Sequence, residues 1–344
     1  MILVLVEHEG GRPIRSSLEA LTFARALGGS AEGAVAASAA AAIGTAASGS
    51  GTLEAVLFGR GATDVAGQLG AFGVGRAHVV EIPEVDDYAP AAWGRALAQL
   101  AEAGRCDAVI AAGTERGNEV MAYAGAMTGA AMAANCIEAR PGNPWTVTRQ
   151  RWGGSLLEEA RLAGPSPRLL TVAEHVVAPE EAATAVSVEV SMYSPTLADG
   201  DLRTRVVGRV PRAPGSVALS DARVVVGGGR GVGSAGGFEP LEELATLLGG
   251  TVGVSRVVTS AGWRPHTEQV GQTGARIAPD LYIACGISGA IQHIVGCKAS
   301  KAILAINTDA EAPIMARASY AVIGDLHTVL PAINDEIRRR IGSV

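Results

Sequence analysis

Ala222-Arg223-Val224-Val225-Val226-Gly227-Gly228-Gly229-Arg230-Gly231-Val232-Gly233-Ser234 is the stretch that decides the fold class. Ala222 to Val226 reads as a short strand rich in valine, and it passes without a break into a glycine-rich turn. A helix is expected next, with Pro240 in its first turn and Leu241, Leu244, Leu247 and Leu248 on one face. Strand, glycine turn and helix are the parts of a phosphate cradle. The glycines let backbone N–H groups approach phosphate oxygens, and Arg230 adds charge. The G-x-G-x-x-G spacing fits only from Gly231 through Gly233 to Gly236. The acidic residue that would hold a ribose about 20 residues further on is absent, and Ser255-Arg256 occupies that region. This weakens an ordinary NAD reading and leaves a tight structural turn as the other possibility.

Three further segments extend the pattern. Gln269-Val270-Gly271-Gln272-Thr273-Gly274 is polar and glycine-flanked, and offers hydroxyl, amide and backbone donors that can wrap the edge of a flat heteroaromatic ring. Leu281 to Cys285 reads as a strand leading into Gly286-Ile287-Ser288-Gly289-Ala290-Ile291-Gln292-His293. Ser288 stands where a helix N-cap is expected, so the N–H groups after it would face an anion or a polarised ring. His293 follows five residues on. A further strand, Ala302 to Ile306, ends at Asn307, where doubly wound sheets bind ligands. Tyr320 to Ile323 is another, ending at Gly324-Asp325-Leu326. A final amphipathic helix carries Leu330, Ile333, Ile337 and Ile341, and Arg338 to Arg340 suit its dipole.

The first half alternates in the same way. Ile2–Val6, Leu53–Phe58, Ala77–Ile82 and Cys106–Ala111 read as strands, and Ser16–Leu27, Pro90–Ala103 and Glu119–Met127 as helices. That order predicts a parallel sheet with helices on both faces. The alanine-rich stretch from Ala31 to Thr52 is read as a helix running into a loop. Trp145–Arg151, Arg168–Val172 and Ala185–Val190 read as antiparallel strands closing this domain. Gly208 to Gly215, rich in Pro, Gly and Arg, reads as a linker. The expectation is therefore an α/β protein of two domains. The N-terminal one, residues 1–213, is a mostly parallel sheet closed by antiparallel strands, and the C-terminal one, residues 214–344, is doubly wound.

Composition bounds the function. The 344 residues carry 28 Lys and Arg against 34 Asp and Glu, a net charge of −6, so a domain-wide basic footprint for nucleic acid is missing. Glycine is 45 of 344 residues, about 13%, against a usual 7% or so, and aromatics are only 4%. The core must then be built from Val, Ile, Leu and Ala. Cys106, Cys136, Cys285 and Cys297 form no C-x-x-C pair and read as reduced, buried thiols rather than metal ligands. The opening MILVLVEHEGG has no basic segment before its apolar run, so a cytoplasmic protein without a signal peptide or membrane span is expected.

Together these residues identify a family. From Val224 to Leu326 the chain closely resembles the flavin domain of the electron transfer flavoprotein alpha subunit. The carrying motifs are Gly228-Gly229-Arg230-Gly231, Ser255-Arg256, Gln269–Gly274, Leu281-Tyr282-Ile283-Ala284, Gly286–His293, Ala305-Ile306-Asn307 with Ala312-Pro313-Ile314, and Asp325-Leu326. Val4-Leu5-Val6-Glu7 and Gly153-Gly154 are similar to the family in the first domain, whereas the alanine-rich insert is not. Ser260 departs from the pattern, which has an acidic residue there.

The resemblance implies a heterodimer of alpha and beta subunits. FAD would lie mainly in the second domain of this chain, with AMP or a second FAD in the beta subunit. Such a protein carries electrons, as in fatty acid beta-oxidation, from flavin dehydrogenases such as acyl-CoA dehydrogenases to a membrane quinone oxidoreductase. It has no catalytic residue of its own. By the same resemblance the FAD contacts are Arg230, Ser255, Arg256, Val270, Gly271, Gln272, Thr273, Ser288, Gly289, Ala290, Ile291, Gln292, His293, Asn307, Asp325 and Leu326. Arg256 would lie against the isoalloxazine ring and, with His293, stabilise negative charge near N1 and O2. The Thr273 hydroxyl can reach N5, and Asn307 and Asp325 suit the adenosine end. The alternative is an electron-bifurcating relative that oxidises NADH through a second FAD in the beta subunit. An NAD-dependent dehydrogenase is disfavoured by the missing ribose acid and the absence of a catalytic His/Asp pair. A flavin-free nucleotide-binding or structural module is the remaining contrast.

Overall fold

The computed structural model describes residues 1–29, 35–36, 53–85, 87–208 and 217–341. The chain divides into two compact units, Met1–Arg209 and Val210–Val344. The boundary expected at residue 213 lies outside the described residues.

The first unit contains β1 (Ile2–Leu5), β2 (His8–Glu9), β3 (Arg12–Pro13), α1 (Arg15–Gly29), β4 (Val35–Ala36), β5 (Leu53–Phe58), α2 (Ala62–Ala66) and β6 (Arg76–Val80). It continues with α3 (Pro90–Ala103), β7 (Ala108–Ala112), α4 (Glu115–Thr128), β8 (Met132–Arg140), β9 (Trp145–Arg151), β10 (Leu156–Leu162), β11 (Arg168–Val172) and β12 (Glu189–Tyr193). The main sheet runs β10-β9-β8-β11-β7-β1-β5-β6-β12, with β4 against β8. Strand alternation sorts its core into two layers. Ile2 and Val4 join Leu21 and Phe23 of α1 in one cluster, while Leu3 and Leu5 join Leu97 of α3 and Met121 of α4 in the other.

The late strands of this unit and the segment after α1 differ from the expectation. β11 is parallel to both β7 and β8, and β12 is parallel to β6; within this sheet the antiparallel pairs among the described residues are β8·β9, β9·β10 and β4·β8. All five residues of β11 are buried, as suits a parallel strand covered on both faces. The third late strand is Glu189–Tyr193, not Ala185–Val190. Val35 and Ala36 form strand rather than helix; the rest of Ala31–Thr52 lies outside the described residues.

The second unit contains β13 (Val224–Gly228), α5 (Glu239–Leu247), β14 (Thr251–Val254), α6 (Arg256–Ser260), β15 (Leu281–Cys285), α7 (Ile291–Cys297), β16 (Ala302–Asn307), β17 (Tyr320–Ile323) and α8 (Leu326–Ile341). All five strands are parallel, in the order β14-β13-β15-β16-β17. The order reverses at β13 and β15, and the crevice at their carboxyl ends is where such a sheet takes a ligand. Val226 and Ile283 pack with Leu241, Leu244 and Leu330 beneath α5 and α8, and Val225, Tyr282 and Ala305 fill the opposite face with Cys297.

No helix among the described residues is long and apolar enough to cross a membrane. Among the described residues no group of three or more His, Cys, Asp or Glu could hold a metal ion. All four cysteines are buried, and burial pushes each thiol up to about 12. The thiolate is the reactive form. The native chain is therefore expected to resist a colorimetric thiol reagent at pH 8 and to react at four sites once unfolded. Rapid labelling of the native chain would contradict this assignment.

Candidate functional site

The glycine turn after β13 is built for protein contacts as much as for a ligand. A Cβ on Gly228 would lie 2.3 Å from Cε1 of Phe238, and one on Gly229 would lie 2.2 Å from the Gly286 carbonyl oxygen. Gly231 donates its N–H to that same oxygen at 3.1 Å. The turns leaving β13 and β15 thus press backbone against backbone at the switch point. The simple phosphate-cradle reading is corrected at the helix. Two short 3-10 turns intervene before α5, and its first turn carries Glu239 and Glu242, a poor setting for an anion.

A cavity of about 670 Å³ opens at the carboxyl ends of the strands, inside the range of cofactor sites. Of the residues expected to contact a cofactor, thirteen line it: Arg230, Ser255, Arg256, Val270, Gly271, Gln272, Thr273, Ser288, Gly289, Ala290, Gln292, His293 and Asn307. Three expected residues are not among its lining. Ile291 is 73% exposed at the start of α7, Asp325 accepts the His327 N–H at 2.9 Å as α8 begins, and Leu326 is buried in the core. The expected N-cap shifts as well: α7 starts at Ile291 after Ala290, so Ser288 belongs to the preceding loop, where its carbonyl accepts the Ile314 N–H. Val257, Ser260, Asp309 and Ala312 also line the cavity and were not singled out as contacts. In the sequence Ser260 stands out only as a departure from the family pattern, and no local motif marks Val257 or Asp309.

Polar groups on one wall form a chain. Arg256 donates Nη1–H to the Thr273 hydroxyl oxygen at 2.8 Å, and the buried Gln269 donates Nε2–H to the same oxygen at 3.0 Å. Gln269 is itself held by the Thr259 hydroxyl at 2.8 Å. With its oxygen accepting two bonds, the Thr273 hydroxyl has its proton left to donate. Asn307 braces the loop after β15, donating to the Ile287 carbonyl at 3.0 Å and accepting the Asp309 N–H at 3.1 Å.

His293 lies buried in the cavity lining. Burial lowers its pKa to about 4, with the Val270 carbonyl opposing the shift. It is therefore neutral near pH 7, and what it can offer to a negatively charged ring is a neutral N–H donor. Nε2 lies 2.7 Å from the Tyr282 hydroxyl, whereas the buried Nδ1 completes no hydrogen bond, the Val270 carbonyl acting on the ring without the geometry of one. A buried polar atom without a hydrogen bond in the wall of a cavity is what a ligand-binding site leaves open. The positive charge comes from Arg230 and Arg256, opposed by Asp309.

A five-stranded parallel sheet with such a cavity at its switch point defines a doubly wound domain that binds a nucleotide-type cofactor. Residues 218–298 match the family pattern described as "Electron transfer flavoprotein FAD-binding domain", and residues 31–197 match "Electron transfer flavoprotein domain". The chain is 38% identical over 344 residues to the electron transfer flavoprotein subunit alpha of Mycobacterium tuberculosis (strain ATCC 25618 / H37Rv), covering 99% of each. It is 37% identical over 343 residues to that of Mycobacterium leprae (strain TN), again covering 99% of each. With that of Bacillus subtilis (strain 168) it shares 34% over 294 residues, 85% of this chain and 89% of the relative. The chain belongs to the electron transfer flavoprotein alpha-subunit family, its second unit is a flavin-binding domain, and its role is that of an electron-carrying flavoprotein.

Proposed function

We propose that the cavity of the second unit holds FAD and that the chain works as one half of a heterodimer with an electron transfer flavoprotein beta subunit, which holds AMP or a second FAD. In this reading the complex takes electrons in the cytoplasm from flavin dehydrogenases, such as acyl-CoA dehydrogenases, and passes them to a membrane quinone oxidoreductase. The observation that carries it is one cavity lined by Arg256, by the Thr273 hydroxyl that Arg256 holds, and by His293 with its buried, unbonded Nδ1. The sixteen residues foreseen as contacts are proposed in that role with one division. The thirteen in the lining touch the cofactor, and Ile291, Asp325 and Leu326 act at the rim or from behind it.

Bound there, the isoalloxazine ring supplies reversible electron chemistry that no side chain of the chain can provide. The residues tune it. Arg256 sets a cation where negative charge develops on reduction, and the hydroxyl proton of Thr273 is free to meet an acceptor nitrogen. Gln269, buried, holds that hydroxyl in place.

An absorbance spectrum of the purified complex tests the reading. Flavin bands that survive gel filtration support it, and their absence from a fully folded complex overturns it. The alpha chain alone is expected to lose FAD on the same column, because the site is completed by the partner; stoichiometric retention by the lone chain would contradict that. The bifurcating alternative differs in the count, two FAD per heterodimer with NADH oxidation in place of one.

A further inference from the structure

Tyr282 on β15 is fully buried, and its hydroxyl lies 2.7 Å from Nε2 of His293 on α7. Among the described residues the phenol has no other hydrogen-bond partner. A phenol brings one proton, and a neutral imidazole brings one N–H and one lone pair. Were the imidazole proton on Nε2, it would point at the phenol oxygen and strand the phenol proton in the core without an acceptor. The arrangement that satisfies both groups has the Tyr282 O–H donating to Nε2. The ring proton then sits on Nδ1, the one buried atom of the pair that completes no hydrogen bond.

The surroundings are shaped to hold this contact. A Cβ on Gly227 of the adjacent β13 would lie 2.2 Å from the Tyr282 oxygen, so only glycine leaves room for the hydroxyl. Behind the imidazole, a Cβ on Gly296 would lie 2.3 Å from the Gly271 nitrogen, so the 269–274 loop and α7 approach through glycine backbones.

We propose that Tyr282 is a positioning residue: seated over Gly227, its hydroxyl fixes the His293 tautomer with the proton on Nδ1 and so presents a neutral N–H donor to an acceptor atom of the flavin. The use of that donor rests on the flavin reading above, whereas the tautomer itself does not. Neutrality agrees with the lowered pKa of His293. A donor fixed beside an atom that gains electron density on reduction favours the reduced ring.

The test has two arms. In the full chain labelled with ¹⁵N at its six histidines, the His293 signals, identified by their loss in His293→Ala, are expected to show a protonated Nδ1 and a bare Nε2. In Tyr282→Phe, protonation moves partly to Nε2, and Gly227→Ala, which displaces the hydroxyl, gives the same change. In the complex loaded with FAD, Tyr282→Phe weakens the preference for reduced over oxidised FAD about tenfold, equivalent to roughly 30 mV at two electrons. The same substitution in a His293→Ala background leaves the potential where it was. An unchanged tautomer in Tyr282→Phe, or an equal potential shift without the histidine, overturns the proposal. A wild-type complex devoid of FAD would instead overturn the flavin reading, and the histidine spectra would still decide the role of Tyr282.

Discussion

Gly229→Ala is expected to destabilise the second unit by about 3 kcal/mol, the upper range for inserting a methyl group into a packed site. Three observations set the size of the effect. The new Cβ would lie 2.2 Å from the Gly286 oxygen, 2.7 Å from the Gly286 carbonyl carbon and 2.7 Å from Ile287 Cα, all backbone atoms. No rotamer change relieves such a contact. The Gly286 carbonyl is also tied to the Gly231 N–H, so it cannot swing aside without losing that bond. The loop that must move carries Gly286, Ile287 and Ser288, all in the cavity lining, so FAD retention should fall together with stability. Gly236→Ala is the control, since its Cβ would meet nothing nearer than the Ser234 hydroxyl at 3.9 Å and should stay within about 0.5 kcal/mol of wild type. Urea unfolding of both variants decides the matter. Equal midpoints would show that the two strand-to-helix turns do not press together as described.

The same glycines show what the sequence could and could not convey. Strand, glycine turn and helix were legible around Val224–Gly231 because valine runs and glycine clusters are local signals. The purpose of each glycine was not. Gly227 faces a tyrosine, Gly228 a phenylalanine and Gly229 a carbonyl, and all three partners lie at least ten residues away in the chain or on another strand. Strand direction was hidden for the same reason. Arg168–Val172 has the valine and leucine content of either kind of strand, and only its non-local neighbours β7 and β8 make it parallel. β14 was missed because four residues with a glycine among them, Thr251–Val254, fall below any periodic signal. His293 lines the cavity, but its burial was not legible in the sequence. Burial beside Tyr282 is a property of the packed sheet and leaves no trace in the hexapeptides around it.

Burial of His293 has a measurable consequence for stability. Its folded pKa of about 4 lies below the ordinary value of 6.5. Folding therefore opposes protonation, and this histidine costs nothing while it stays neutral above pH 6.5. As the pH falls from there toward 4, the unfolded chain binds a proton that the folded one refuses, and stability declines through that window. Urea midpoints measured across it should fall less steeply in His293→Gln than in wild type; parallel slopes would place the histidine in contact with water.

Arg256→Ala is expected to lower the two-electron potential of the FAD-loaded complex by about 30 to 60 mV. The figure converts the roughly 1.5–3 kcal/mol of a charge-assisted hydrogen bond at 30 mV per 1.4 kcal/mol. The side chain is exposed at the cavity mouth, so the shift should shrink as salt screens it, and low ionic strength is the sensitive condition. Two effects combine in this one residue. Its charge favours the reduced ring directly. Its Nη1–H also occupies one lone pair of the Thr273 oxygen, leaving Gln269 to hold the other, and this pair of donors is what directs the hydroxyl proton outward. Arg256→Lys keeps the charge but lacks the planar fork, so it should recover the salt-dependent part of the potential and not the rest. Thr273→Val removes the hydroxyl alone. If the arginine acts partly through that hydroxyl, the double variant Arg256→Ala/Thr273→Val will shift the potential by less than the sum of the two single changes. Strict additivity would separate the two residues. A potential unchanged by Arg256→Ala at low salt would remove the arginine from the tuning of the flavin, leaving Arg230 as the other cation of the cavity wall.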